Sequence, residues 1–583
     1  MGLTVPETSS IPVFDRQFFS GKERFTAIGR GELGGKAQGL ARMLRLIDGS
    51  LAESFRPDIE VCVPTLTVIT TEYFDLFMKQ NNLYEVALSE LRDEVIALTF
   101  QKADLPPQLV GDLRALISQV RTPLAVRSSS LLEDAMFEPF ASVYATKMIP
   151  NNQADADSRF RKLVEAVKFI YASTFFKDAK NYIRATRHVT TDEKMAVIIQ
   201  EVVGLRRGPR FYPDISGVAR SHNFYPLGNA KPKEGVIDLA LGLGKTIVDD
   251  GIAWSYSPAH PQANPPYNTL DDLLSRTQAE FWAISMEAPA VYNPIKETEY
   301  LKKFSLADAE RDGVLRFLAS TYRAQNDKIV YGISEAGPRV LDFAPILKFD
   351  LLPLNKLLRR LLTICEESLN RMVEIEFAMT LDERLGRPAR FGFLQVRPMV
   401  VSESEIELRP CDLKGDDVLT ASESALGNGF HEDVLDIIYV KPDKFNVHHS
   451  EAVALEIERL NRSLQELGRP YLLIGFGRWG TSDPQAGIPV NFGQISGAKV
   501  IVEVALPETS TMLSQGSHFF HNITSFRVFY FSLTPFDPYR VDWEWLARQP
   551  ADRETEFVRH VRLISPLKII VDGTTSRGVI RHG

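Results

Sequence analysis

The chain has 583 residues, 44% of them hydrophobic, and a formal charge of −8, which gives room for more than one domain with full cores. The acidic balance excludes a nucleic-acid binder that draws its affinity from a basic surface. Three widely spaced cysteines, Cys62, Cys365 and Cys411, exclude a disulfide framework or a zinc site and suit a reducing compartment.

The N-terminus has no basic start followed by an apolar core, and Pro6 stands where a myristoylation signal needs Ser or Thr. No apolar run approaches the ~18 residues that span a bilayer. A cytoplasmic protein with no membrane partner is expected. Residues 1–20 are turn-rich and read as an arm. A helix is predicted over Gly34–Leu46, where Leu40, Met43, Leu44 and Leu46 give an amphipathic pattern. It is entered through Gly34-Gly35-Lys36: glycines let backbone N–H groups approach an anion at a helix N-terminus, and the lysine adds a mobile charge. A flexible entry turn with a solvated lysine fits the same residues. Val61–Thr70 reads as a strand, Thr71 is placed to cap the helix after it, and residues 85–120 read as helical.

Leu124, Ala125 and Val126 return to strand, and Arg127 falls where that strand would end, followed by Ser128, Ser129 and Ser130. Ligands bind at strand ends of α/β proteins, and guanidinium is shaped to grip phosphate oxygens. A phosphate grip and a serine-capped corner both fit. Met195–Val203 is a continuous apolar run enclosing Gln200 and Glu201, the pattern of a buried strand. Residues 205–235 are rich in Gly, Pro, Arg and Asn around Ser216-Gly217-Val218-Ala219. Gly242-Leu243-Gly244-Lys245-Thr246 approaches a P-loop, but Leu239 stands where the pattern needs its first glycine.

A leucine-rich helix is expected over 354–371, then strands at Val373–Met379 and Phe391–Val401 joined across Gly386 and Pro388. Alternation puts Glu374 and Glu376 on one face, and Gln395 and Arg397 on one face. A hairpin turning near Leu385–Gly386 has a register with Glu376 opposite Gln395 and Glu374 opposite Arg397. Two oxygen ligands beside a guanidinium make a seat for Mg²⁺ bridging nucleotide phosphates; ordinary cross-strand polar pairs are the alternative.

Polar, acidic residues 402–417 mark a domain boundary. A helix near 450–466 and strands at 471–474, 498–505, 526–533 and 567–571 follow. Gly475 to Gly480 spells G-x-G-x-x-G, but Pro484 and Gly487 argue against a helix there, so a dinucleotide fingerprint is not expected. Arg478 and an exposed-looking Trp479 either grip an anionic or ring-bearing ligand or anchor a tight turn. His518 follows a glycine and a hydroxyl; it either accepts a phosphoryl group or is a hydrogen-bonded core residue. With His521 it gives a His-x-x-His spacing, weak evidence for a metal without a third ligand.

Taken in order, seven short segments resemble the nucleotide-binding domain of phosphoenolpyruvate synthase and pyruvate phosphate dikinase, an ATP-grasp fold. They are Gly34-Gly35-Lys36; Val63-Pro64 with Val68-Ile69-Thr70-Thr71; Val126 to Ser129 with Glu133-Asp134 and Phe140-Ala141; Met195 to Gln200; Ser216 to Ala219; Gly242 to Gly244; and Gln395 to Pro398. The resemblance implies that Lys36, Arg127 and Ser128 hold ATP phosphates and that Gln200, Glu201 and Val202 line the adenine cleft. It implies Mg²⁺ on Glu376 and Gln395, with Arg397 neutralising the transferred group. Two departures stand out: Ser142 follows Phe140-Ala141 where the family often has glycine, and Lys245 follows Gly-Leu-Gly where glutamate is usual. The family's Thr-Ser-His carrier segment is not found, and residues after 400 are too few for a TIM barrel plus a carrier domain.

The expected fold class is α/β (α+β). An arm (1–20) precedes ATP-grasp subdomains over 21–205 and 206–402, followed by a smaller C-terminal α/β domain over 403–583. The expected activity is ATP- and Mg²⁺-dependent phosphotransfer to an unidentified acceptor, by Arg127, Arg397 and His518. An ATP-binding regulatory module without turnover is the alternative.

Overall fold

The computed structural model describes residues 11–582 except 18, 48–50, 52–53, 56, 131–142, 186–192, 225, 227–229, 250, 264–269, 276, 382–386, 400–405, 482–484, 507–518, 521–522, 524–525, 536 and 574. His518, Glu133, Asp134 and Phe140 to Ser142 therefore lie outside the described residues. The chain divides into two units: Met1–Ser221 with Val236–Ile247 and Gly251–Pro398, and His222–Gly235 with Val248–Asp250 and Met399–Gly583.

Two sheets dominate the first unit. In chain order their strands are β1 (Phe25–Ile28), β2 (Ile59–Cys62), β3 (Leu66–Ile69), β4 (Leu124–Ser130), β5 (Thr146–Ile149), β6 (Met195–Glu201), β7 (Ile215–Arg220), β8 (Val236–Ala240), β9 (Trp254–Tyr256), β10 (Val373–Thr380) and β11 (Ala389–Pro398). The first sheet has the order β1-β3-β6-β4-β5 and the second β9-β8-β7-β10-β11-β2. Both are antiparallel except for the pairs β1–β3 and β11–β2. Helices Gly35–Leu46 and Leu354–Leu369 pack on them: Leu40, Met43, Leu357 and Leu361 share one core with Val68, Ile198, Ile375 and Phe391.

Three local expectations need correction. The run 61–70 is two strands in different sheets, because Pro64 cannot donate to a ladder and the chain crosses at Val63-Pro64-Thr65. Thr71 is the first residue of helix Thr71–Gln80 and Thr70 is its cap. The two threonine hydroxyls accept instead from the N–H groups of Glu32 and Gly31. Residues 85–120 form three helices, Tyr84–Leu88, Asp93–Lys102 and Pro107–Gln119, the last with proline at its first position.

The second unit holds a seven-stranded sheet whose strands Asp436–Val440, Tyr471–Phe476, Ala498–Val504 and Phe529–Leu533 run parallel in chain order. Helix Ser450–Glu466 joins the first two and buries Val453, Ile457, Leu460 and Leu464. A second sheet of four antiparallel strands pairs Val418–Ser422, Arg577–Arg581, Lys568–Asp572 and Gly429–His431. Trp479 is buried rather than exposed, and its indole N–H donates to Val502 O at 3.3 Å. A Cβ on Gly475 would lie 2.4 Å from its ring, so the glycine lets Trp479 anchor the turn. No helix among the described residues is long and apolar enough to cross a membrane.

Candidate functional site

The strand β4 does not stop at Arg127. It runs on to Ser130 because Arg127 to Ser130 pair with Ile198 to Met195 of β6, and the three serines are buried there. Serine reads as loop in sequence, yet its hydroxyls here have structural partners. Ser129 Oγ donates to Leu33 O at 2.8 Å and accepts from Ala37 N–H at 3.1 Å. The helix thus docks its N-terminus on β4. Gly34, with φ +75°, makes the approach possible, since a Cβ there would fall 1.8 Å from Ser129 O. Lys36, the second helical residue, is 9% exposed, and its Nζ lies 3.3 Å from Ser128 Oγ.

The hairpin β10–β11 has the predicted register, with Glu374 opposite Arg397 and Glu376 opposite Gln395. After Glu376 the pairing shifts, so that Phe377 faces Phe393 and Leu394 is an extra residue. This bulge takes a carbonyl out of the ladder, and Leu394 O accepts from Arg127 Nη1 at 3.0 Å.

Arg127 is where the two sheets meet. Its Nη2 donates to Gln395 Oε1 at 2.8 Å and stands 3.6 Å from Glu376 Oε2, while Nη1 lies 3.4 Å from Gln200 Oε1. The Arg127 and Glu376 side chains keep 12% and 16% exposure. Behind them, Arg397 donates through Nε to Glu374 Oε1 at 2.5 Å, and its Nη2 reaches Glu376 Oε1 at 3.6 Å. The Gln200 side-chain nitrogen is buried with no hydrogen-bond acceptor among the described residues.

Glu201 is in a different grouping. By the two-residue repeat it faces away from Gln200, and its carboxylate accepts from Arg390 at 3.1 Å. Its N–H donates to Thr65 O, and that of Val202 to Pro123 O, at 2.9 and 3.0 Å. Near Arg390, burial pushes the Cys62 thiol above its ordinary range, with the guanidinium pulling the other way.

Sequence reasoning missed Arg220 and Asp238. Arg220 of β7 lies opposite Glu374 and donates to its Oε2 at 2.6 Å through Nε, and to Asp238 Oδ2 of β8 at 2.8 Å through Nη1. Ser255 of β9 donates in turn to Asp238 Oδ1. The signal was the alternation Ser216, Val218, Arg220, which places arginine on the same face as its cross-strand partner Glu374. The result is a ladder of alternating charge, Asp238–Arg220–Glu374–Arg397, across four strands. Beyond Arg397 stand Glu376 and Arg127, an anion and a cation partly open to solvent, an arrangement that can receive a charged ligand at its edge while burial fixes the groups behind it.

No curated protein matches the chain. Residues 30–414 match the family described as pyruvate phosphate dikinase, AMP/ATP-binding domain. The match takes in every residue of the ladder, with Lys36, Arg127, Gln200 and Gln395, and covers well over half of the sequence. The chain belongs to the pyruvate phosphate dikinase AMP/ATP-binding domain family.

Proposed function

We propose that the first unit is an ATP-grasp phosphotransferase site, which binds ATP with Mg²⁺ and passes a phosphoryl group to an acceptor. The observation that carries this reading is the meeting of Gln200, Glu376 and Gln395 on the single guanidinium of Arg127. Phosphoryl transfer asks a protein chiefly for positioning and charge stabilisation. Lys36, Arg127 and Ser128 would hold the phosphates, Arg397 would neutralise the transferred group, and Gln200, Glu201 and Val202 would border the adenine. The unmet amide donor of Gln200 fits a ligand rich in acceptor oxygens or ring nitrogens.

Mg²⁺ fits the donor set. Glu376 and Gln395 offer a carboxylate and an amide oxygen from adjacent strands, both facing the cationic Arg127. Mg²⁺ commonly takes one or two carboxylates with phosphate oxygens and water. Among the described residues no group of three or more His, Cys, Asp or Glu could hold a metal, so this seat relies on the nucleotide for its remaining ligands. The ion would supply charge neutralisation on the phosphates. His518 is the proposed phosphoryl carrier.

The test is to incubate the purified chain with Mg²⁺ and γ- or β-labelled ATP, then follow ADP, AMP and acid-labile protein label. Turnover that Arg397→Ala abolishes with the fold intact is expected, as is protein label that His518→Ala removes. ATP binding without turnover, with pyruvate or simple sugars present, supports a nucleotide-binding regulatory module instead. Lys245 favours that second reading, because it brings a positive charge to the start of the short helix after Gly244, its Nζ 5.8 Å from the Trp282 ring centre.

A further inference from the structure

We infer that Arg220 is a positioning residue for Arg397, acting through the carboxylate the two share. The inference rests on the proposed ATP-binding role of this face. Glu374 stands between them in the sheet, with Arg220 directly opposite on one side and Arg397 on the other. Arg220 takes Oε2 at 2.6 Å, and Arg397 takes Oε1 at 2.5 Å.

A carboxylate facing one arginine pairs with it fork to fork, through both oxygens. Arg220 competes with Arg397 for that geometry by holding Oε2 at 2.6 Å. Arg397 meets Glu374 at Oε1, and its Nη2 also approaches Glu376 at 3.6 Å, towards the open edge of the ladder. Asp238 sets how strongly Arg220 draws on Glu374, since it holds Nη1 at 2.8 Å and is itself held by Ser255.

Arg220 is an expensive way to fill this space. Its side chain is 1% exposed, and its Nη2 is buried with no acceptor among the described residues. Buried ion pairs are often replaceable by apolar groups of similar volume without loss of stability, whereas a buried donor left unmet is costly. Strand cohesion alone therefore gives a poor account of a guanidinium here. Control of where Arg397 points gives a better one.

The two neighbours of Glu374 predict effects of opposite sign. Without the fork of Arg220, Glu374 closes on Arg397 through both oxygens and draws it from the phosphates. Without the Asp238 charge, Arg220 pulls harder on Glu374 and leaves Arg397 freer. The experiment is calorimetric titration of the full chain with ATP and with AMP in Mg²⁺, for wild type, Arg220→Met, Arg220→Lys and Asp238→Asn, alongside thermal melting. The preference for ATP over AMP should fall about tenfold in Arg220→Met and Arg220→Lys, the scale of one charge-assisted hydrogen bond, with AMP affinity held within about twofold. Asp238→Asn should keep or raise the preference. A purely structural role predicts that ATP and AMP affinities fall together with melting temperature in all three.

An unchanged preference in Arg220→Lys, or a fall in Asp238→Asn matching the arginine variants, overturns the inference. If Arg220→Met does not fold, Arg220→Lys and Asp238→Asn decide the matter. A wild-type chain that binds no ATP removes the proposed function and this inference together; a chain that binds ATP with an unmoved preference removes only the inference.

Discussion

Arg127 of β4 donates to Gln395 of β11 across 2.8 Å, a side-chain bond between the two main sheets of the first unit. The same guanidinium reaches a bulge carbonyl on β11 and the Gln200 amide on β6. Arg127→Lys keeps the charge but loses the fork that serves these partners. ATP affinity should fall by about 10²-fold, the scale of a bidentate charge-assisted contact. Titration calorimetry on the folded variant checks this, and wild-type affinity would remove Arg127 from the phosphate site.

Glu376→Gln separates metal from nucleotide. Losing one anionic ligand should raise the Mg²⁺ concentration needed for half-maximal ATP binding by roughly tenfold. ATP binding in chelator should hold or improve, because a negative charge has left the phosphate face. Titration at graded Mg²⁺ gives both numbers, and an unmoved Mg²⁺ midpoint would show that the ion sits elsewhere.

The β10–β11 hairpin was legible because its polar residues alternate within apolar strands: Glu374 and Glu376 on one, Gln395 and Arg397 on the other. A period of two leaves few registers that pair acid with base. The end of β4 was not legible, because three consecutive serines carry a loop signal. Their burial depends on β6, some seventy residues away, and on a helix that docks on Ser129. Arg220 and Asp238 were missed for a related reason. Each is a lone charge on its own strand, and only the order of strands in the sheet joins them to Glu374. The crossing at Val63-Pro64-Thr65 did have a local signal in its proline, overridden by the β-branched residues on either side.

His222 gives the second unit a pH dependence. Burial lowers its pKa from 6.5 to about 4, with Lys233 adding to the effect. The unfolded chain therefore binds more protons than the folded one between those values, and stability falls as pH drops from 6.5 towards 4. The contribution is roughly 3 kcal/mol at 1.36 kcal/mol per pH unit. In denaturant melts from pH 7 to 4, wild type should lose that much more stability than His222→Gln; parallel curves would count against the assignment.

The three cysteines should differ sharply in reactivity. Burial pushes the Cys365 thiol up to about 12, and its Sγ–H points at Met43 Sδ, 3.7 Å away. Cys62 is buried and shifted the same way, while Cys411 is exposed. Since the thiolate is the nucleophile, a disulfide reagent should modify Cys411 alone in the native chain and all three after denaturation. Fast labelling of Cys365 in native protein would contradict its packing.

Trp479→Ala should destabilise the second unit by about 3–5 kcal/mol, the usual cost of emptying a buried aromatic site. ATP affinity should stay at the wild-type value. Chemical denaturation with calorimetry on the same samples tests the pair, and a stable variant with altered ATP binding would reverse the assignment of Trp479 to structure.

Two short links leave the first sheet, at Val63-Pro64-Thr65 and at Val202-Val203-Gly204, and the N–H of Glu201 beside the second donates to Thr65 O in the first. Stapled together, they pin one edge of that sheet: Glu201 stands at the pin, and Arg127 stands three to four residues further out along the paired strands. On the proposed reading, the adenine end of the nucleotide lies against the pinned edge and the phosphates lie furthest from it.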